Sequence, residues 1–102
     1  MASEFSKLAE LDRVIHSPAR LMVVSILTAV NKADFLYLLR ETELTKGNLS
    51  THLSKLEEAG YIIVEKTYKG KVPLTLYSLT KAGKQAFKGY RKQLKYIIDN
   101  TA

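Results

Sequence analysis

The chain has 102 residues, 46% of them hydrophobic, enough for one folded core and too apolar for a disordered tail. It contains no cysteine, which excludes disulfides, thiolate metal sites and cysteine nucleophiles. The net charge of +6 is unevenly placed, with five Lys/Arg against six Asp/Glu in residues 1–45 and eleven against four in residues 46–102, so a polyanionic partner is expected.

In chain order, Phe5, Leu8, Leu11 and Ile15 lie at helical spacings and predict a first amphipathic helix over roughly 4–15. Ser17-Pro18 restarts the chain, Ser17 as a cap and Pro18 at the first helical position. Leu21, Val24, Leu27 and Val30 then face one side of a second helix ending near Asn31. A short third helix runs from Asp34, as its cap, to about Glu41, with Phe35, Leu38 and Leu39 inward. After a polar turn, residues 45–59 form a fourth helix anchored by Leu49, Leu53 and Leu56 and stopped by Gly60. Strand character takes over in residues 61–67 and 74–79, joined by the basic link Tyr68-Lys69-Gly70-Lys71-Val72-Pro73. Thr80 caps a last helix over about 81–98, whose apolar positions Phe87, Tyr90, Leu94 and Ile97 or Ile98 form a stripe.

Helix, turn, helix and hairpin in this order predict a mainly α fold with a β-hairpin wing (α+β). This is a winged helix-turn-helix in one domain, with the helix-turn-helix at about 34–60 and the wing at about 61–79. Placing the leucines of helix 45–59 inward turns Gly47, Asn48, Thr51, Ser54, Lys55 and Glu58 outward. Asn48 suits a bidentate contact to adenine, and Thr51 a base edge or a thymine methyl. Lys46 and Lys55 suit phosphates, Gly47 allows close approach, and the amides near Thr45 favour a phosphate. Ser50 and His52 border the buried face, where His52 suits packing or a phosphate contact better than metal ligation. Lys66, Lys69 and Lys71 around Gly70 suit a wing tip lying along phosphates or in the minor groove. The same lysines would also protect an edge strand from aggregation.

The run 49–62 resembles the recognition-helix signature of MarR-like and ArsR-like regulators, and Tyr77-Ser78-Leu79-Thr80-Lys81-Ala82-Gly83 is similar to the junction that ends their wing. The resemblance covers roughly residues 14–90. It implies a dimeric transcription regulator in which Asn48, Ser50, Thr51, His52 and the wing lysines touch DNA. The cysteine motif that ArsR-like sensors often carry before the recognition helix has no counterpart in residues 35–40.

A homodimer is expected from the apolar stripe Phe87, Tyr90, Leu94, Ile97 and Ile98 on a terminal helix, with Phe5, Leu8 and Leu11 at the other end. The alternative is that the two terminal helices pack only on each other. Asp12, His16 and Ser17 are residue types of a hydrolytic trio but lie without nucleophile-elbow glycines, so no enzyme is expected. No cofactor and no metal are expected either. The longest uncharged stretch, residues 21–31, is too short to span a bilayer, and a cytoplasmic location is expected. Double-stranded DNA is the expected partner; a small-molecule effector stays open. Two other readings are a winged-helix protein-interaction module and a sequence-neutral architectural DNA binder.

Overall fold

In the computed structural model, which describes residues 5–101, the chain opens on a short 3-10 helix, Ser6–Glu10. The helix expected over 4–15 does not form as one piece, and Glu4 lies outside the described residues. Asp12 is the reason. Its Oδ1 accepts from the amides of Val14 at 2.9 Å and Ile15 at 3.0 Å, giving the backbone a local alternative to the helical ladder. Of the four apolar residues at helical spacing, Ile15 is fully buried while Phe5 stays exposed.

Pro18 begins α1 (Pro18–Val30), where its missing N–H leaves no intrahelical bond unmade. Ser17 holds the cap position in extended backbone, but its hydroxyl makes no capping bond. The buried face is Val23, Val24 and Leu27. Val30, expected inward, is 39% exposed, since it sits in the final turn just before the chain leaves the helix at Asn31 (φ 67°). A strand too short to leave a sequence pattern follows, β1 (Ala33–Asp34), and its second residue caps α2 (Phe35–Thr42) by accepting from the Tyr37 amide at 2.7 Å.

Glu43 takes a left-handed conformation (φ 56°) that closes α2, and only Leu44 separates it from Thr45, the cap of α3 (Lys46–Glu58). The Thr45 hydroxyl accepts from the Asn48 amide at 3.1 Å. Gly60 ends this region at φ 78°, a conformation that favours glycine. The hairpin strands are longer than expected: β2 (Ile62–Lys69) pairs with β3 (Val72–Leu79) up to Lys69 opposite Val72. The six-residue link is therefore a two-residue turn, Gly70-Lys71, with Gly70 at φ 66° as this tight hairpin requires. Pro73 stands opposite Tyr68, next to the turn-closing pair, where antiparallel alternation asks for no ladder bond from its nitrogen. The sheet order is β1-β3-β2, all antiparallel.

Thr80 ties the last helix, α4 (Lys81–Asn100), to the end of α3. Its amide donates to the Tyr61 carbonyl at 3.0 Å, its hydroxyl donates to the Gly60 carbonyl at 2.6 Å, and its Oγ1 accepts from the Gly83 amide at 3.0 Å. Between these elements lies one core, in which Val23, Val24 and Leu27 of α1 meet Leu38, Leu49, Leu53, Leu56, Ile62 and Leu79. Burial of these aliphatic side chains, at about 1.5–3 kcal/mol each, fixes the pose of α3 against the sheet. Among the described residues no helix is long and apolar enough to cross a membrane.

Candidate nucleic-acid interface

The three leucines of α3 are buried, so the helix must present its other residues outward. Lys46, Gly47, Asn48, Ser50, Thr51, Ser54, Lys55 and Glu58 are all exposed, as is the capping Thr45. The side chains near the N-terminal end are short and polar, and an added Cβ at Gly47 would meet nothing within 4 Å. The absence of a side chain there is thus not forced by packing within the chain. Thr51 donates its hydroxyl to the Gly47 carbonyl at 3.0 Å, which leaves its oxygen as an acceptor and its methyl free for apolar contact.

His52 stands apart from that face. It is half-buried, and its Nδ1 lies 3.1 Å from Nη1 of Arg20 on α1. Arg20 is itself pinned, Nε donating to the Val14 carbonyl and Nη2 to that of Arg13 at 3.5 Å. Burial, then the positive charges of Arg20 and Lys55, hold the His52 pKa below its usual value, so the ring is neutral and can accept from the guanidinium. This α1–α3 contact is invisible in the sequence, because nothing links positions 20 and 52. A lowered histidine pKa contributes stability that is complete above the unfolded value near 6.5 and is lost as pH falls through it towards the folded value. The melting temperature should therefore drop faster between about pH 6.5 and 5 in the parent than in His52→Gln. Parallel melting profiles across that window would show that His52 is not held neutral.

The wing presents Lys66, Lys69 and Lys71, all exposed, with Tyr68 at 71% and Val72 at 64% exposure beside them. The three hydrolase-type residues near the first turn have structural duties. Asp12 caps that turn and accepts from the Tyr61 hydroxyl, a hydrogen bond that, with burial and the carboxylate charge, pushes the Tyr61 pKa up to about 12. His16 Nδ1 lies 2.8 Å from the Tyr90 hydroxyl, and Ser17 holds the position before α1. Among the described residues no three of the types His, Cys, Asp and Glu cluster to hold a metal ion.

The residues expected at a dimer interface divide. Tyr90 is 3% exposed and packs within its own chain against His16, and Phe87 rests on the core. Phe5 meets Tyr96 of α4 edge-on, with ring centroids 5.1 Å apart, so the two ends of the chain do touch each other. Leu8, Leu11, Leu94 and Ile97 are half-buried, while Ile98 is 69% exposed.

A family model described as a winged helix DNA-binding domain matches residues 19–98, a span running from the first turn of α1 almost to the end of α4. The chain belongs to the winged helix DNA-binding domain family. It is also 34% identical over 89 residues to an uncharacterized protein of Methanocaldococcus jannaschii, covering 86% of this chain and 96% of that one. Among solved structures it is similar to a transcriptional regulator homologue from Pyrococcus horikoshii, at TM-score 0.86 and 28% identity, covering 96% of this chain and 97% of the other. A MarR-family regulator from Enterococcus faecalis shares the fold at TM-score 0.76 and 16% identity, over 94% of this winged-helix chain and 86% of its own.

Proposed function

We propose that this winged-helix protein is a transcriptional regulator that binds duplex DNA sequence-specifically as a homodimer. In this reading α3 enters the major groove, and the β2–β3 hairpin lies on the flanking backbone or in the minor groove. The observation that carries it is the split of α3 into a buried leucine face and an outer face of short polar side chains at its N-terminal end. Such a face can approach base edges closely, and side chains near the start of a recognition helix are the ones that reach them. Asn48 and Thr51 are the readers. Thr45, Lys46, Gly47, Ser50 and Lys55 position the helix on the DNA, His52 acts from the edge of that face through its contact with Arg20, and Lys66, Lys69 and Lys71 hold phosphates from the wing. The regulatory role is supported by the likeness to the transcriptional regulator homologue of Pyrococcus horikoshii. The exposed end of α4 around Ile98, continued by Leu94 and Ile97, supplies an apolar surface for a second copy.

Selection of bound duplexes from a random pool tests both parts of this reading. A dimer of this kind returns a site with two-fold symmetry, whereas an asymmetric single site argues for a monomeric reader. With that site in hand, Asn48→Ala and Thr51→Ala should each lose about 1–3 kcal/mol of affinity for it and almost none for random duplex. If both variants keep the parent ratio of specific to random affinity at fixed salt, α3 is not the reader. The sequence-neutral architectural reading then stands instead.

A further inference from the structure

The positive charge of the chain is not concentrated where the α3-and-wing reading needs it. Within α3, Lys46 and Lys55 are balanced by Glu57 and Glu58, and the hairpin sets three lysines against Glu65. Helix α4 holds Lys81, Lys84, Lys88, Arg91, Lys92 and Lys95 against the single acid Asp99, which is +5 of the net +6. All six cations are exposed. Their spacings of three and four residues put them within an arc of roughly 100° of the helix circumference, a ridge roughly 21 Å long at helical rise. The apolar stripe through Phe87, Leu94 and Ile97 occupies a different arc, so the ridge stays free when that stripe is covered. Among the described residues the only carboxylate in ion-pair range of these six cations is Asp99, 2.7 Å from Lys95. Like charges four apart on a helix repel, and among the described residues little offsets six of them. The ridge starts at the C-terminal end of α3, the end away from Asn48, since Thr80 is bonded to the Gly60 and Tyr61 carbonyls just past it.

From this we infer that the basic ridge of α4 is a second DNA-backbone-binding surface, which supplies a larger share of the salt-dependent affinity than the wing does. Duplex DNA carries one phosphate charge per about 1.7 Å of its axis, a density that a ridge of six cations can engage at several points. The inference rests on the DNA-binding reading above. The experiment compares the parent with Lys84→Gln/Lys88→Gln/Lys92→Gln, the same three positions as Arg, and Lys69→Ala/Lys71→Ala, measuring duplex affinity from low to moderate salt. The glutamine triple should flatten the slope of log affinity against log salt by roughly two to three units, close to 0.9 per lost phosphate contact. The arginine triple should restore the parent slope. Relief of repulsion should leave the glutamine triple melting no lower than the parent, so a lost slope is not a lost fold. A parent slope in the glutamine triple, with a flattened one in the wing pair, overturns this inference and leaves the DNA-binding reading in place. Absence of duplex binding by the parent overturns both. Sedimentation of the parent with phosphatidylserine-containing vesicles, alongside an unchanged DNA slope in the glutamine triple, would assign the ridge to a lipid surface instead.

Discussion

Gly83→Ala should destabilise the protein by about 3 kcal/mol, the upper part of the range for overpacking a tight site. A Cβ at this position would stand 2.2 Å from the Tyr61 carbonyl oxygen, 3.0 Å from its carbon and 3.1 Å from its Cα. All three are backbone atoms, so no side chain can swing aside to make room. The same carbonyl accepts from the Thr80 amide, and Gly83 donates its own amide to Thr80 Oγ1, so displacing one partner disturbs the junction as a whole. Tyr61 sits between the end of α3 and the start of β2. Any shift that admits the methyl group therefore moves α3 against the hairpin, and DNA affinity should fall along with stability. Gly89→Ala is the internal control. It lies on the same helix with nothing within 4 Å of its added Cβ, and it should be neutral or stabilising by up to about 1 kcal/mol. Denaturant unfolding of the two variants decides the matter: equal midpoints would mean that α4 does not dock on Tyr61 as described.

This junction shows how much of the architecture could be read from sequence. Thr80 as a cap and Gly60 as a stop are signalled by residue type, because each supplies a local hydrogen bond or a φ angle that few residues provide. The inward leucines of α3 follow from spacing alone, and with them the candidate reading face. What escaped depends on contacts between distant positions or on competition within a few residues. The Arg20–His52 contact spans 32 positions. The two residues of β1 are strand only because Ala33 and Asp34 lie opposite Tyr77 and Leu76. The first helix failed because one carboxylate, Asp12, captured two amides that a helix would have used otherwise. Tyr90 carried the same stripe periodicity as Leu94 but is buried beside His16, a partner that periodicity cannot reveal. The charge asymmetry was legible, yet its weight lies on α4 more than on α3, where the basic half begins.

Leu53→Ala should lose roughly 2–5 kcal/mol of stability, the range for truncating a buried leucine. Leu53 is 4% exposed, flanked along α3 by Leu49 and Leu56, both at 0%, and it belongs to the core cluster that also holds Val24, Leu38 and Ile62. A cavity there removes contacts from α3 on the side facing α1 and the sheet. The helix can refill it only by shifting, which moves the outer face that Asn48 and Thr51 occupy. Specific and random-duplex affinity should therefore fall together. That signature is opposite to the one expected of Asn48→Ala and Thr51→Ala, which touch the exposed side of the same helix. Those two should stay within about 0.5 kcal/mol of the parent in stability, as surface substitutions away from caps and cores usually do. Calorimetric melting with binding at two duplex sequences separates the cases. Should Leu53→Ala melt with the parent, or lose specific affinity alone, then the inner and outer faces of α3 have been assigned the wrong way round.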